Sequence, residues 1–146
     1  MLRHLAPVAA LSLLALACSS EADDAAPACT IPGTYKIVTS EQQGGTCGGG
    51  GEASYTIRRE GAGYWVEIPG FQGGCPLEET EECKAQGKCD VTITDALDPQ
   101  NNLAAVQFVW TFTTDGFTGS NILTAPPATP VPDGCRSTYD VTATRL

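Results

Sequence analysis

The stretch Ala104-Ala105-Val106-Gln107-Phe108-Val109-Trp110-Thr111-Phe112-Thr113-Thr114 decides the fold class. Val106, Phe108, Trp110 and Phe112 alternate with Gln107, Val109, Thr111 and Thr113. That is a repeat of about two residues, not the roughly 3.6 of a helix, and it buries one face of an extended strand while the other stays mostly wet. Asp115-Gly116 follows, a two-residue hairpin signal that sends the chain back along a second strand.

Working outward, the same period and the same enrichment in β-branched and aromatic residues recur in short runs separated by Gly, Pro, Asn and Asp. Strands are expected over 34–39, 53–59, 63–69, 88–95, 104–114, 117–124 and 137–145. The pattern turns Tyr35 and Ile37, Tyr55 and Ile57, Tyr64, Val66 and Ile68, Val91 and Ile93, and Tyr139 and Val141 inward. Gly61-Ala62-Gly63 supplies a further tight turn, and no segment carries a helical face of useful length. The expected fold is therefore all-β: an antiparallel up-and-down meander of about seven strands, closed into a small barrel or folded into a two-layer sandwich. Bulky inward residues in short strands predict a packed interior.

At the N-terminus a basic start (Arg3, His4) precedes an apolar run over 5–17, then Cys18-Ser19-Ser20. The run is shorter than the roughly 20 residues that a helix needs to cross a bilayer, and it has the shape of a cleaved export signal. Ala15-Leu16-Ala17 also reads as a small-x-small site for ordinary signal peptidase, which would leave a soluble secreted or periplasmic protein. Leu14-Ala15-Leu16-Ala17-Cys18 resembles the lipobox of bacterial lipoproteins. The resemblance implies that 1–17 is a signal peptide and that Cys18 becomes the first mature residue, carrying acyl chains such as palmitate. At about 0.8 kcal/mol per buried methylene, two or more chains anchor a protein durably. Ser19, where an Asp would imply retention in the inner membrane, implies the outer membrane. Residues 19–28 read as a flexible acidic tether and 29–146 as one domain.

The chain carries 17 carboxylates and a net charge of −9, and loss of Arg3 with the signal makes the mature form more acidic still. Such a charge argues against nucleic acid and anionic headgroups as partners. The single His, His4, leaves with the signal too, which removes imidazole as a base or a metal ligand.

Without Cys18, the 7 cysteines become an even set: Cys29, Cys47, Cys75, Cys83, Cys89 and Cys135. Their spacings lack the paired knuckles of zinc sites, and export favours disulfides. In a seven-strand meander Cys29 and Cys135 fall at one end, and Cys47, Cys75, Cys83 and Cys89 at the other. That geometry leaves Cys29–Cys135 with two bridges among the remaining four, for which Cys47–Cys75 and Cys83–Cys89 are the expected choice.

The Gly-rich 44–51 lacks the Gly-Lys-Ser/Thr of a phosphate loop and reads as a flexible connection. Glu78-Glu79-Thr80-Glu81-Glu82 lacks the Asp/Asn and Gly alternation of a calcium loop and reads as a solvated acidic loop pinned by Cys75 and Cys83. Trp65 is out of phase with its inward neighbours and is the candidate for an exposed binding surface. No catalytic, cofactor or metal residue is expected, because no nucleophile has an evident base. Pro32-Gly33-Thr34-Tyr35 resembles the Gly-x-Trp opening of lipocalin-like barrels, with Tyr in place of Trp. The resemblance implies Arg145 on the last strand as the partner over Tyr35. The expected role is that of a membrane-anchored, non-catalytic binding or structural protein of the cell envelope. Its partner is a protein or a small ligand. The alternatives are a lipocalin-like small-ligand carrier and, more remotely, a hydrolase working with carboxylates alone.

Overall fold

The computed structural model describes residues 29–93, 103–127 and 133–146. Cys18, the signal segment 1–17, the tether and the expected strand end at 94–95 lie outside the described residues. Within them nine strands form: β1 (Gly33–Glu41), β2 (Gly50–Glu60), β3 (Gly63–Glu67), β4 (Phe71–Gln72), β5 (Gly74–Glu81), β6 (Lys84–Ile93), β7 (Leu103–Phe112), β8 (Gly116–Ala125) and β9 (Cys135–Arg145). All pairings are antiparallel. The sheet runs β5-β3-β2-β1-β9-β8-β7 and closes through β5–β6 and β6–β7 into an eight-stranded barrel, with β4 added along the far part of β6. Closure removes the exposed edges that an open sheet would present.

The meander and its inward set are as the alternation predicts. Tyr35, Ile37, Tyr55, Ile57, Tyr64, Val66, Ile68, Val91, Tyr139 and Val141 are all buried, as are Val106, Phe108, Trp110 and Phe112. The backbone of Ile93 pairs with Phe71, while its side chain lies outside the described set. Trp110, fully buried, organises the core. Its ring stacks on Phe117 with centroids 4.4 Å apart, and Phe108 lies 4.7 Å away. On the facing strand its register partner is Gly119, where a Cβ would fall 3.0 Å from Trp110 Cδ1. The missing side chain is what gives the indole its space.

Three expectations need correction. The barrel has eight strands where about seven were expected, with β4 beside it, because 71–81 forms β4 and β5; β6 also begins at Lys84 instead of 88. The signal was weak for a physical reason. In β5 only Cys75 and Leu77 point inward, Pro76 interrupts the run, and the carboxylates that follow face water. In β6 the first inward positions are Ala85 and Gly87, too small to register as an apolar period. Glu78–Glu82 is exposed as expected, but Glu78 to Glu81 belong to β5 and are not a loop. The hairpin after β7 is where Asp115 places it, although Gly116 is already the first residue of β8.

The disulfides are Cys29–Cys83, Cys47–Cys135 and Cys75–Cys89, with Cα atoms 5.7, 4.8 and 5.4 Å apart. All six cysteines pair, but none of the expected partners is right, and the cause is parity. One extra pass of the chain, β5, reverses the direction of everything after it, so Cys83 joins Cys29 at one end while Cys135 joins Cys47 at the other.

Two outcomes test this description. Peptide mapping without reduction should recover these three bridges and no free thiol among the six. Trp110→Ala should cost about 3 to 5 kcal/mol in a denaturant melt, because it opens a cavity in a packed core and strands the amide that the indole satisfies.

Candidate binding site in the barrel mouth

The two ends of the barrel differ in chemistry. At the end holding Cys29 and Cys83, the Tyr35 hydroxyl donates to the carbonyls of Thr30 (2.7 Å) and Ile31 (2.8 Å). Arg145 Cζ sits 5.8 Å from the Tyr35 ring centroid and Arg145 Nη2 donates to the Pro32 carbonyl at 2.7 Å. Gly33 lies beneath that guanidinium, where a Cβ would come within 3.0 Å. Phe117 and Phe112 pack edge-on against Tyr35 at 5.1 and 6.2 Å. Backbone bonds from Thr30 to Thr113 and from Phe112 to Cys83 complete the plug. This end is shut and apolar inside.

The opposite end holds a cavity of about 200 Å³. Its wall is drawn from six strands: Thr39, Gly50, Tyr55, Phe71, Val106, Tyr139, and the pair Asn121 and Leu123, with Ile68 just past the end of β3. The interior is therefore packed only in part, contrary to the expectation from inward bulk. The polar members are ordered. Trp110 Nε1 donates to Asn121 Oδ1 at 2.8 Å, which fixes the orientation of the amide. The Tyr139 hydroxyl donates to the Gly48 carbonyl at 2.8 Å. Burial pushes the Tyr55 hydroxyl above the usual tyrosine range, and Tyr139 is raised by burial, against the Ser137 hydrogen bond that lowers it, with the Glu41 charge adding to the rise.

The Gly-rich segment, expected to be a flexible loop, is a strap folded along the start of β9. Gln42 N–H reaches Thr138 O at 2.8 Å, Thr46 N–H reaches Arg136 O at 3.2 Å, and the Cys47–Cys135 bridge fastens the middle. Glu41 and Ser137 pin it from below. The Ser137 hydroxyl donates to Glu41 Oε1, which also accepts from Gly48 N–H at 3.0 Å, while Cys47 N–H donates to Ser137 Oγ at 2.8 Å. With Ser137 only 2% exposed, this Ser–Glu pair has no access to a substrate and works as a clamp. A Cβ at Gly45 would fall 2.6 Å from Glu41 Cδ, so a larger residue there would have to push aside the carboxylate that clamps the strap.

Trp65 does not line the cup, although it shares an outer hollow with the cup residues Ile68 and Phe71. It lies half-buried on the outer face of β3, its indole edge resting on Gly74, with Arg58 Cζ 5.9 Å from the ring. Arg58 pairs with Glu60 at 3.0 Å and with Glu67 at 3.3 Å. Open hollows lie on both sides of the indole, one lined by the carboxylates Glu60, Glu78 and Glu79 and the other by Ser54, Thr56 and Glu67. Asn121, Thr39, Leu123 and Phe71 escape a sequence reading. The signal for Asn121 was there in the hairpin: pairing Phe112 with Phe117 across the turn sets Asn121 opposite Phe108, on the inner face. Phe71 gave no such signal, standing alone between Pro69-Gly70 and Gly73.

Ionising a buried tyrosine is what alkali must do to this core. Because the folded pKa of Tyr55 is raised, its contribution to stability is fully present below about pH 10 and is lost as pH rises through the folded value. The melting temperature should fall above about pH 10, and Tyr55→Phe should shift that fall to higher pH.

Compared with protein-family models, curated proteins and solved structures, the chain matches none.

Proposed function

We propose that this chain is a non-catalytic binding protein of the cell envelope, exported by 1–17, acylated at Cys18, held at the outer membrane, and binding a small ligand in the open end of its barrel. The observation that carries the binding part is the cavity of about 200 Å³ in a barrel whose other half is filled with aromatic rings. The chain has the bulk to fill this space and instead turns Thr39, Asn121 and Tyr139 toward it. A concave apolar site with a few convergent polar groups is the usual form of a small-molecule pocket.

Three disulfides are compatible with an exported protein in an oxidising compartment. The lipobox-like Leu14 to Cys18 supports anchoring, and Pro32–Tyr35 with Arg145 overhead supports a lipocalin-like reading of one shut end and one binding end. No residue pair in the cup offers a nucleophile with an accessible base.

The anchor is tested by fractionation in a Gram-negative host. The protein should partition with membranes, and Cys18→Ser should release it or stall its processing; an unacylated mature N-terminus in the mass spectrum overturns the anchor. The site is tested on mature protein in lipid nanodiscs, titrated with a mixture of small fragments and followed by amide NMR. Shifts should concentrate at Thr39, Gly50, Tyr55 and Asn121, and silence at all four removes the cup as the binding site.

A further inference from the structure

Resting on the cup as the ligand site, we infer that its occupant is a small uncharged compound about the size of one substituted ring, carrying a single oxygen acceptor. Size gives the first bound. A cavity of about 150 Å³ suits benzene, and drug-sized ligands need roughly 300 Å³ or more. At about 200 Å³ this cup lies between, so it can cover a ring and one substituent, whereas most of an acyl chain would project from its open mouth into water.

Charge gives the second. None of the described residues lining the cup is charged. The nearest carboxylate on the adjoining strand is Glu41, whose register partner is Tyr139 and whose charge is felt at that phenol. An anionic head placed here would lose its water, find no Lys, Arg or His to replace it, and face a negative field. Fatty acids and aromatic acids are disfavoured for the same reason.

Polar geometry gives the third. Trp110 takes one lone pair of the Asn121 oxygen and fixes the amide, whose two N–H donors are the groups assigned here to a ligand. The matching ligand atom is an acceptor: a ketone, an aldehyde, an ether or a phenol oxygen. Around it, Tyr55 and Phe71 offer ring contacts, and Val106 and Leu123 branched aliphatic ones. Flat rings fit such a wall better than extended chains, because aromatic pairs gain from offset or edge-on contact.

The test uses matched probes on the mature protein in nanodiscs: acetophenone, toluene, benzoate and dodecanoate. Acetophenone and benzoate share a shape and differ in charge; toluene lacks the acceptor. Acetophenone should shift the amides of Thr39, Gly50, Tyr55 and Asn121 in the low-millimolar range or tighter. Benzoate should bind at least about tenfold more weakly, and toluene should fall in between. Leu123→Trp, which fills the cup from its rim, should abolish the acetophenone shifts without lowering the melting temperature. If that variant does not fold, the location still stands on the shift map of the wild type. Benzoate or dodecanoate binding as well as acetophenone at these amides overturns the neutral-ligand inference while leaving the cup as a site. Silence from all four probes, with the fragment mixture active there, overturns the ring-and-acceptor class; silence from both removes the reading on which it rests.

Discussion

The hydrogen bond from Trp110 Nε1 to Asn121 Oδ1 is the hinge of this structure, because it marks where dry packing stops and polar chemistry begins. Below it, Trp110, Phe112, Phe117 and Tyr35 fill the barrel with rings 4.4 to 6.2 Å apart, and Phe108, level with Asn121, packs 4.7 Å from the indole. Above it, the Tyr55 ring stands 6.3 Å from the indole and begins the wall of the cup. An indole has one donor and no acceptor, so burying it demands an oxygen at that point. Asn121, which also lines the cup, supplies the oxygen. The same bond that makes the core tolerable sets the polarity of the site.

Closure puts a second constraint on the chain, since eight strands in a ring must return to their start with every ladder intact. The weakest seam is between β5 and β6. Their ladder covers Glu78 to Gln86, Glu79 to Ala85 and Glu81 to Lys84, with an irregularity at Glu79/Glu81, and Pro76 has no N–H to offer beyond it. The Cys75–Cys89 bridge ties these strands past the point where the ladder stops. The other two disulfides act at the rims: one joins the N-terminal segment to the β5–β6 turn, and the other fastens the glycine-rich strap to β9. Each staple lies where backbone hydrogen bonding between strands runs out.

The fold class was legible because alternation over β7 and β9 is strong and because turn residues mark the hairpins around β2–β3 and β7–β8. What was not legible had small or polar inward residues. Ala85 and Gly87 in β6 and the carboxylate-rich end of β5 give no apolar period, and missing that one pass inverted the assignment of ends and with it every disulfide pair. A local misreading thus became a global one, because direction in a meander accumulates strand by strand. The cup was hidden for a related reason. Its polar members come from four strands, and they converge only through barrel closure.

The inward polar residues are not scattered. Thr39 and Glu41 on β1, Asn121 on β8, and Ser137 and Tyr139 on β9 all lie toward the mouth, while the inward positions of the shut end are apolar apart from Tyr35 and Arg145, which satisfy each other's surroundings. A sequence selected only for stability would fill both ends with hydrocarbon, since buried polar groups contribute little net and cost heavily when unpaired. Glu41 and Ser137 have a structural use in clamping the strap. Among the described residues the Thr39 hydroxyl reaches only Gly51 O, at a long 3.4 Å, and Asn121 would serve Trp110 equally well from a wall without a cavity beside it. Departures from local consistency that gather in one place are the pattern expected of a site kept for function at the expense of packing.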